Sequence, residues 1–340
     1  LESISIPATV SKIGDTKDIS TSNAGIYLPF YNCTSLKTVR FEDGATPISL
    51  GVNYSSNSSY AKGLFSYAPL EEVYIGRNIE YANYPSYLFA SYPYRYGYSA
   101  FYNKTKLTKA TIGETVTDIP AYLFYECTAL SSVDFGTSLK SIPKYAFSSC
   151  ALESVELPNT VLSIGERAFE SNSKLASINI GSSVETIGNY AFYSCSRLSD
   201  LQLGQKLTAI GDYAFASMGI GVLIYKALVL PETLTTIGRN AFSSSGLQSV
   251  YIPDAVSFIG ESAFALNTRL SSITFGKGCK ILPVSVLDGC TELTELILSE
   301  GIETISDKAF ASCTALESIS IPATVSKIGD TKDISTSNAG

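Results

Sequence analysis

The stretches LESVELPNTVLSIGERAFESN (152–172), LASINIGSSVETIGNYAFYSC (175–195) and LQSVYIPDAVSFIGESAFALN (247–267) are three copies of one unit. In each copy an apolar-alternating segment leads to Pro or Gly, then to Ile-Gly, and then to Ala-Phe. Most successive units are 22 or 23 residues apart. A fixed period of this size indicates a solenoid, because one unit is too small to bury its apolar face and must pack on its neighbours.

One aromatic residue recurs in each unit, and Leu287 takes its place once. The recurring phenylalanines are Phe30, Phe65, Phe101, Phe124, Phe147, Phe169, Phe192, Phe215, Phe242, Phe264 and Phe310. The period-two segment predicts a short strand, the next apolar step a second strand, and Ala-Phe a compact helical or 3₁₀ turn. We therefore expect one repeat solenoid of about twelve coils, with short parallel strands and continuous buried columns of equivalent residues.

The spacing of the units divides the chain. Residues 103–315 keep the regular period, whereas two successive steps within 15–102 span 35 and 36 residues. We interpret residues 1–340 as a single solenoid in which the coils of 15–102 are expanded. Insertions in a solenoid project as loops, often on one face.

The two ends of the chain carry the same sequence. Residues 316–340 repeat residues 1–25 without a difference, which defines a second period of 315 residues. Ordinary solenoid units drift until only their packing positions agree. The identity therefore suggests that the chain is a fragment of a longer polypeptide that repeats this block in tandem. The alternative is the repetition of one short segment without a tandem array.

Composition and charge disfavour several classes of protein. The formal net charge is −7 and no Lys/Arg cluster occurs, which argues against nucleic acid as a partner. No stretch approaches the 18 or so consecutive apolar residues of a membrane span. Hydrophobic residues make up 45% of the chain and charged residues only 16%, so hydroxyl and amide side chains must cover much of the surface. Such a surface suits an extracellular protein.

Catalysis and metal binding lack the residues they commonly need. The chain has no histidine, which removes the commonest general base and the usual transition-metal ligand. Six of the seven cysteines lie three residues after the repeat aromatic or Leu287, and we expect packed, reduced thiols there. Disulfides within the pairs Cys127/Cys150 and Cys290/Cys313 are the alternative. We expect no enzymatic activity, no cofactor and no metal site.

A tyrosine-rich segment lies within the expanded coils. The residues proposed to bind a protein or glycan are Tyr84, Tyr87, Tyr92, Tyr94, Arg95, Tyr96 and Tyr98. Tyrosine offers a large, rigid and amphipathic contact area, and it is enriched in recognition surfaces. The alternative is that this segment folds over the solenoid and only covers the expanded coils.

Four N-x-[ST] sequons occur in the same irregular third. They begin at Asn32, Asn53, Asn57 and Asn103. They are candidate glycosylation sites only if the chain is secreted from a eukaryotic cell.

The unit L-x-x-[IV]-x-[IL]-[PG]-x-x-[VL]-x-x-I-[GP]-x-x-A-F-x-x-C resembles the BspA-type, or Treponema-pallidum-type, leucine-rich repeat over essentially the whole chain. The resemblance implies a curved, right-handed solenoid on cell-surface or secreted proteins that act as adhesins for host proteins or other cells. It carries over no site residues. Two hypotheses follow: an extracellular adhesion module that binds through its Tyr-rich coils, and a structural filament or surface layer that self-associates from tandem 315-residue blocks.

Overall fold

The computed structural model describes residues 1–14, 28–51, 63–81, 99–219 and 228–329, with the backbone of 17–18, 53–55 and 96–97. In this part of the chain the secondary structure consists of short strands and turns. A regular coil contributes two strands, one for each apolar step of the unit. Strands from successive coils pair in parallel, which confirms the predicted repeat fold.

The first strand of each coil forms one wall of the solenoid, here called the first-strand wall. Its first sheet contains β1 (Ser3–Ile6), β4 (Thr38–Phe41), β7 (Glu72–Ile75), β10 (Lys109–Ile112) and β11 (Ser132–Asp134). The next contains β13 (Ser154–Glu156), β15 (Ser177–Asn179) and β17 (Asp200–Gln202). The last contains β19 (Leu228–Val229), β21 (Ser249–Ile252), β23 (Ser272–Phe275) and β25 (Glu295–Leu298).

The second apolar step of the units forms the second-strand wall. Its first sheet contains β2 (Lys12–Ile13), β5 (Ile48–Leu50) and β8 (Ile79–Tyr81). The next contains β12 (Ser141–Ile142), β14 (Ser163–Ile164), β16 (Thr186–Ile187), β18 (Ala209–Ile210), β20 (Thr236–Ile237) and β22 (Phe258–Ile259). The last contains β24 (Ile281–Leu282), β26 (Thr304–Ile305) and β27 (Lys327–Ile328). The register places isoleucine on isoleucine, as in the pairing of Ile164, Ile187 and Ile210. These residues face inward and are at most 2% exposed.

A third small sheet joins three segments of the irregular region 15–102. It contains β3 (Lys17–Asp18), β6 (Asn53–Ser55) and β9 (Tyr96–Gly97). β3 pairs with β6 in parallel and β6 pairs with β9 antiparallel. The described residues 17–18, 53–55 and 96–97 therefore pair with one another.

The phenylalanines form the column that the repeat predicts. From Phe30 to Phe264 each ring stacks on the next, with centroids 5.1–5.6 Å apart and planes within 23° of parallel. The rings from Phe65 to Phe264 are fully buried, and they belong to one continuous hydrophobic core. Burial of each ring removes its apolar surface from water, which stabilises the fold by roughly 1.5–3 kcal/mol in transfer free energy.

The Ala-Phe segment forms turns in place of the predicted helical or 3₁₀ turn. Residues two before and two after the phenylalanine adopt a left-handed backbone, as Tyr190 and Ser194 do with φ of 58° and 59°. Left-handed residues interrupt a right-handed helix. The amides of Tyr190, Phe192 and Ser194 instead donate to carbonyls of the next coil at 2.8–3.0 Å. The hydrogen bonds between coils thus determine the turn.

Candidate binding surface

Alternate side chains of the first-strand wall point away from the core and form one row across the solenoid, here called the outward row. Strand register aligns its members within each of the three sheets. They are Ser5, Arg40, Tyr74, Thr111, Asp134, Glu156, Asn179, Gln202, Val229, Tyr251, Thr274 and Ile297. Residues of such a row are fixed by the sheet and can meet a partner without further ordering.

The first part of the outward row carries a charged and aromatic cluster. The Arg40 guanidinium lies 3.7 Å from the centroid of the Tyr74 ring, and its Nη2 is 3.1 Å from Oδ2 of Asp43. The Tyr74 hydroxyl donates to Oδ1 of Asp43 at 2.5 Å. This hydrogen bond to a carboxylate raises the pKa of Tyr74 above its usual value. The three side chains hold one another in a fixed, solvent-facing arrangement.

The middle of the row is polar, and its last part is apolar. Asn179 Nδ2 donates to Glu156 Oε1 at 3.0 Å in the middle sheet. Further along, Val229 is 75% exposed, Tyr251 47% and Ile297 45%. A groove of about 330 Å³ runs beside Val229 and Tyr251. Large apolar side chains aligned in one exposed row are a feature of protein interaction sites.

A second aromatic row lies on the turns, two residues before the repeat phenylalanine. Tyr122 stacks on Tyr145 at 4.7 Å, Tyr190 stacks on Tyr213 at 4.8 Å, and Arg167 lies between these pairs, 4.1 Å from the Tyr190 ring. Our sequence reasoning missed this row, although its spacing from the phenylalanine reveals it. The faces of these rings are occupied by one another, so the row supports the left-handed turns.

Most of the tyrosine-rich patch lies outside the described residues. This applies to Tyr84, Tyr87, Tyr92, Tyr94, Arg95 and Tyr98. Tyr96 is described in its backbone, as the first residue of β9 and opposite Ser55 of β6. The binding role of the patch stays a prediction.

The sequons have different positions in the fold. Asn32 and Asn103 are exposed and left-handed, with φ of 59° and 53°, two residues after a repeat phenylalanine. Asparagine is enriched in this backbone region, which explains both residues without glycosylation. Asn53 begins β6, and Asn57 lies outside the described residues.

The cysteines lie where the sequence placed them, and all seven carry free thiols. In five of them the thiol donates to the carbonyl of the phenylalanine of the preceding coil, or of Leu287 in its place, at 3.0–3.3 Å. These are Cys127, Cys150, Cys195, Cys290 and Cys313. Burial raises the pKa of the Cys127, Cys195 and Cys290 thiols to about 12. Thiols with so high a pKa are poor nucleophiles and ligands.

Other residues take the cysteine position and supply the same hydrogen bond. Asn172 Nδ2 donates to the carbonyl of Phe147, and Asn267 Nδ2 to that of Phe242, both at 2.8 Å. Lys104 lies three residues after Phe101, and its Nζ donates to the carbonyl of Phe65. In most coils this position therefore holds a buried hydrogen-bond donor, whereas Ala68 and Met218 occupy it in two others.

Lys104 makes stability depend on pH. Burial lowers the pKa of its ammonium from 10.5 to about 8, so the unfolded chain binds more protons between these values. The free energy of unfolding, relative to a Lys104→Met variant, is expected to rise between pH 8 and 10 by up to about 1.4 kcal/mol per pH unit. Urea unfolding of both proteins at several pH values measures this difference. A difference that stays constant with pH would contradict the expectation.

The described residues also bear on metal binding and on membrane insertion. Within the residues that the structure describes, no group of three or more Cys, Asp or Glu side chains is arranged to hold a metal ion. The same part of the chain contains no helix that is long and apolar enough to cross a membrane.

Comparison with solved structures gives similar repeat proteins. A leucine-rich repeat protein from Bacteroides ovatus is 22% identical over 70% of this chain and 80% of its own, with a TM-score of 0.47. The leucine-rich repeat protein of T. pallidum is 30% identical over 52% of this chain and 82% of its own, with a TM-score of 0.46. A leucine-rich cell surface protein from Faecalibacterium prausnitzii is 20% identical over 98% and 89%, with a TM-score of 0.39.

No curated protein matches the chain. A family model does match it. The model of the BspA-type leucine-rich repeat region matches residues 95–220 and 224–332 in six copies, which is more than half of the chain. Together with the stacked coils and the strand register, this match shows that the chain belongs to the BspA-type leucine-rich repeat family.

Proposed function

We propose that this protein is a non-enzymatic binding module that acts outside the cell or on its surface and recognises a protein or glycan partner. The observation that carries the proposal is the outward row, in which the exposed Val229, Tyr251 and Ile297 lie on four paired strands, with Thr274 between Tyr251 and Ile297. Exposed apolar and aromatic residues beside a groove supply the desolvated centre that a protein partner needs.

The expanded coils supply a second candidate contact. The pairing of β3, β6 and β9 supports the proposal, because it brings together strands from three segments of the irregular region. Tyr96 lies within this sheet, and the tyrosines around it belong to the same insertion. A patch of Tyr side chains suits adhesion to a protein or glycan.

A non-enzymatic role agrees with the chemistry of the described residues. The chain contains no histidine. Burial raises the pKa of the described core thiols such as Cys127 and Cys195, which suppresses the thiolate that nucleophilic catalysis requires. The polar contacts of the repeat instead hold successive coils together.

A binding experiment separates the two contacts. We expect Val229→Ser combined with Tyr251→Ser and Ile297→Ser to weaken binding at least about tenfold, since loss of a few central anchors typically costs more than 1.4 kcal/mol. The triple variant Tyr92→Ser, Tyr94→Ser and Tyr96→Ser tests the Tyr patch in the same way. Panels of immobilised serum and matrix glycoproteins and of glycans serve as probes.

The control is the pair Leu162→Ser and Phe258→Ser, which removes two exposed apolar side chains from the second-strand wall. We expect binding by this control to be unchanged. A partner bound equally well by the folded outward-row and Tyr variants would refute both proposed contacts.

A second candidate function is a filament or surface layer built from tandem blocks. The identity of residues 1–25 and 316–340 favours it, because it implies a period of 315 residues above that of the coils. A long adhesive fibre would combine both functions.

A further inference from the structure

One coil sequence occurs twice in this structure, in two different environments. Residues 1–14 and 316–329 are identical, and each residue of the second copy is numbered 315 higher than its equivalent. The first copy contacts the coil that follows it in the chain. The second copy contacts the coil that precedes it. Each copy therefore shows one side of the same coil.

The first copy accepts hydrogen bonds from the following coil. The amides of Ser49 and Gly51 donate to the carbonyls of Ser11 and Ile13 at 2.9 and 2.8 Å. On the other wall, β1 pairs with β4 along four residues. The carbonyls of Ser11 and Ile13 thus accept from the coil that follows.

The second copy donates hydrogen bonds to the preceding coil. The amides of Ser326 and Gly329 donate to the carbonyls of Glu303 and Ile305 at 2.9 and 2.8 Å. β26 pairs with β27 in the same direction. In these bonds the second copy uses the amides of Ser326 and Gly329, whereas the first copy uses the carbonyls of Ser11 and Ile13, so the two copies use different main-chain groups of the same coil.

We propose that the coil of residues 316–329 is a junction that binds the segment 28–315 of a following copy of the block. In this arrangement it takes the place that residues 1–14 hold in the first copy. The inference rests on the tandem-block candidate function and specifies how successive blocks are joined. The solenoid then runs through the junction without a break or a flexible linker.

The exposure of side chains in the two copies supports this occupant. Ile6 and Ile13 are 3% and 8% exposed beneath the following coil, whereas their equivalents Ile321 and Ile328 are 40% and 68% exposed. Residues 3–6 form β1, but the equivalent 318–321 are not a strand. In the first copy this sequence is buried and paired by the coil that follows it. The equivalent coil of a following block therefore fits the exposed face of residues 316–329.

The phenylalanine column also continues through such a junction. Phe30 and Phe310 are half-buried at its two ends, while Phe192 and the other phenylalanines between Phe65 and Phe264 are fully buried. A following block places its Phe30 after Phe310. The step between them is 35 residues, the same as from Phe30 to Phe65.

The buried Arg77 connects the first copy to the second coil that follows it. The Arg77 guanidinium is 1% exposed and donates to the carbonyls of Pro7 and Ala8 at 2.8 and 2.7 Å. It passes Gly44, where an added Cβ would lie 3.5 Å from the Arg77 side chain. In the junction, Arg77 of the following block would bind the carbonyls of Pro322 and Ala323. This contact would tie the following block to residues 316–329 across the intervening coil.

The test compares the present chain with a two-block chain, in which residues 1–315 are followed directly by residues 1–340. Small-angle scattering is expected to give a rod of nearly twice the maximum dimension. Hydrogen exchange is expected to slow by about 100-fold or more in the central copy of the junction coil, relative to residues 316–329 of the single chain. Two rods at variable angles, with unprotected central amides, would overturn the proposal.

A matched substitution distinguishes the junction from general stability. Ile328→Asp in the single chain alters an exposed side chain, and its melting temperature is expected to stay unchanged. The same substitution in the central coil of the two-block chain buries a charge and is expected to abolish the added protection there. Equal behaviour in both contexts would refute the junction. Partner binding by the single chain is measured separately, so its failure would refute only the binding module.

Discussion

Phe192→Ala is expected to lower the free energy of unfolding by about 3–5 kcal/mol. Phe192 is fully buried, and its ring stacks on Phe169 at 5.3 Å and on Phe215 at 5.2 Å. Its removal leaves a cavity that borders two coils. Because a solenoid is stabilised by contacts between neighbours, both interfaces of this coil are weakened. Urea unfolding followed by far-UV circular dichroism measures the change.

Phe258→Ala is the matched control for this substitution. Phe258 belongs to β22, but its side chain faces outward and is 56% exposed. The expected loss is below about 1 kcal/mol, since little of the ring is transferred from water on folding. Equal losses for the two variants would show that the phenylalanine column does not stabilise the stack.

The walls and the core of the solenoid could be predicted from the sequence, because their cause is repeated in every unit. An isoleucine such as Ile187 occupies the same place in each coil, and parallel register turns this repetition into a column. The recurring phenylalanine gave the second column in the same way. Coordinated positions of this kind leave few alternative folds.

The turns could not be predicted, because a partner in another coil determines them. Tyr190 and Ser194 are acceptable residues in a helical turn, and their local preferences favour no left-handed backbone. With this left-handed backbone their amides donate to carbonyls of the next coil. Local sequence does not contain this information, so the predicted helical turn is not confirmed.

The candidate surface was predictable in part. Strand alternation identifies Tyr251 and Ile297 as outward-facing residues, although our reasoning from the sequence turned to the tyrosine-rich insertion instead. The cluster of Arg40, Asp43 and Tyr74 depends on residues from two coils, and only the register brings them together.

Asn267→Ala is expected to cost about 3–5 kcal/mol, since each buried polar group that loses its partner costs about 1–3 kcal/mol and the coils relax only in part. Asn267 is fully buried. Its Oδ1 accepts from the amides of Ser245 and Leu247 at 3.0 and 3.2 Å. Its Nδ2 donates to the carbonyls of Phe242 and Phe264, both at 2.8 Å. Thermal and urea unfolding measure the loss.

Two further substitutions test whether hydrogen bonding is the cause. Asn159→Ala removes an exposed asparagine that also bonds the next coil, through Ser182, and is expected to cost less than about 1 kcal/mol. Asn267→Cys places at this position the residue that Cys195 provides in another coil, where the thiol donates to the Phe169 carbonyl. This variant should retain part of the stability that Asn267→Ala loses, because one of the two carbonyls keeps a donor. If cysteine and alanine prove equally destabilising, the donor is not what the repeat selects at this position.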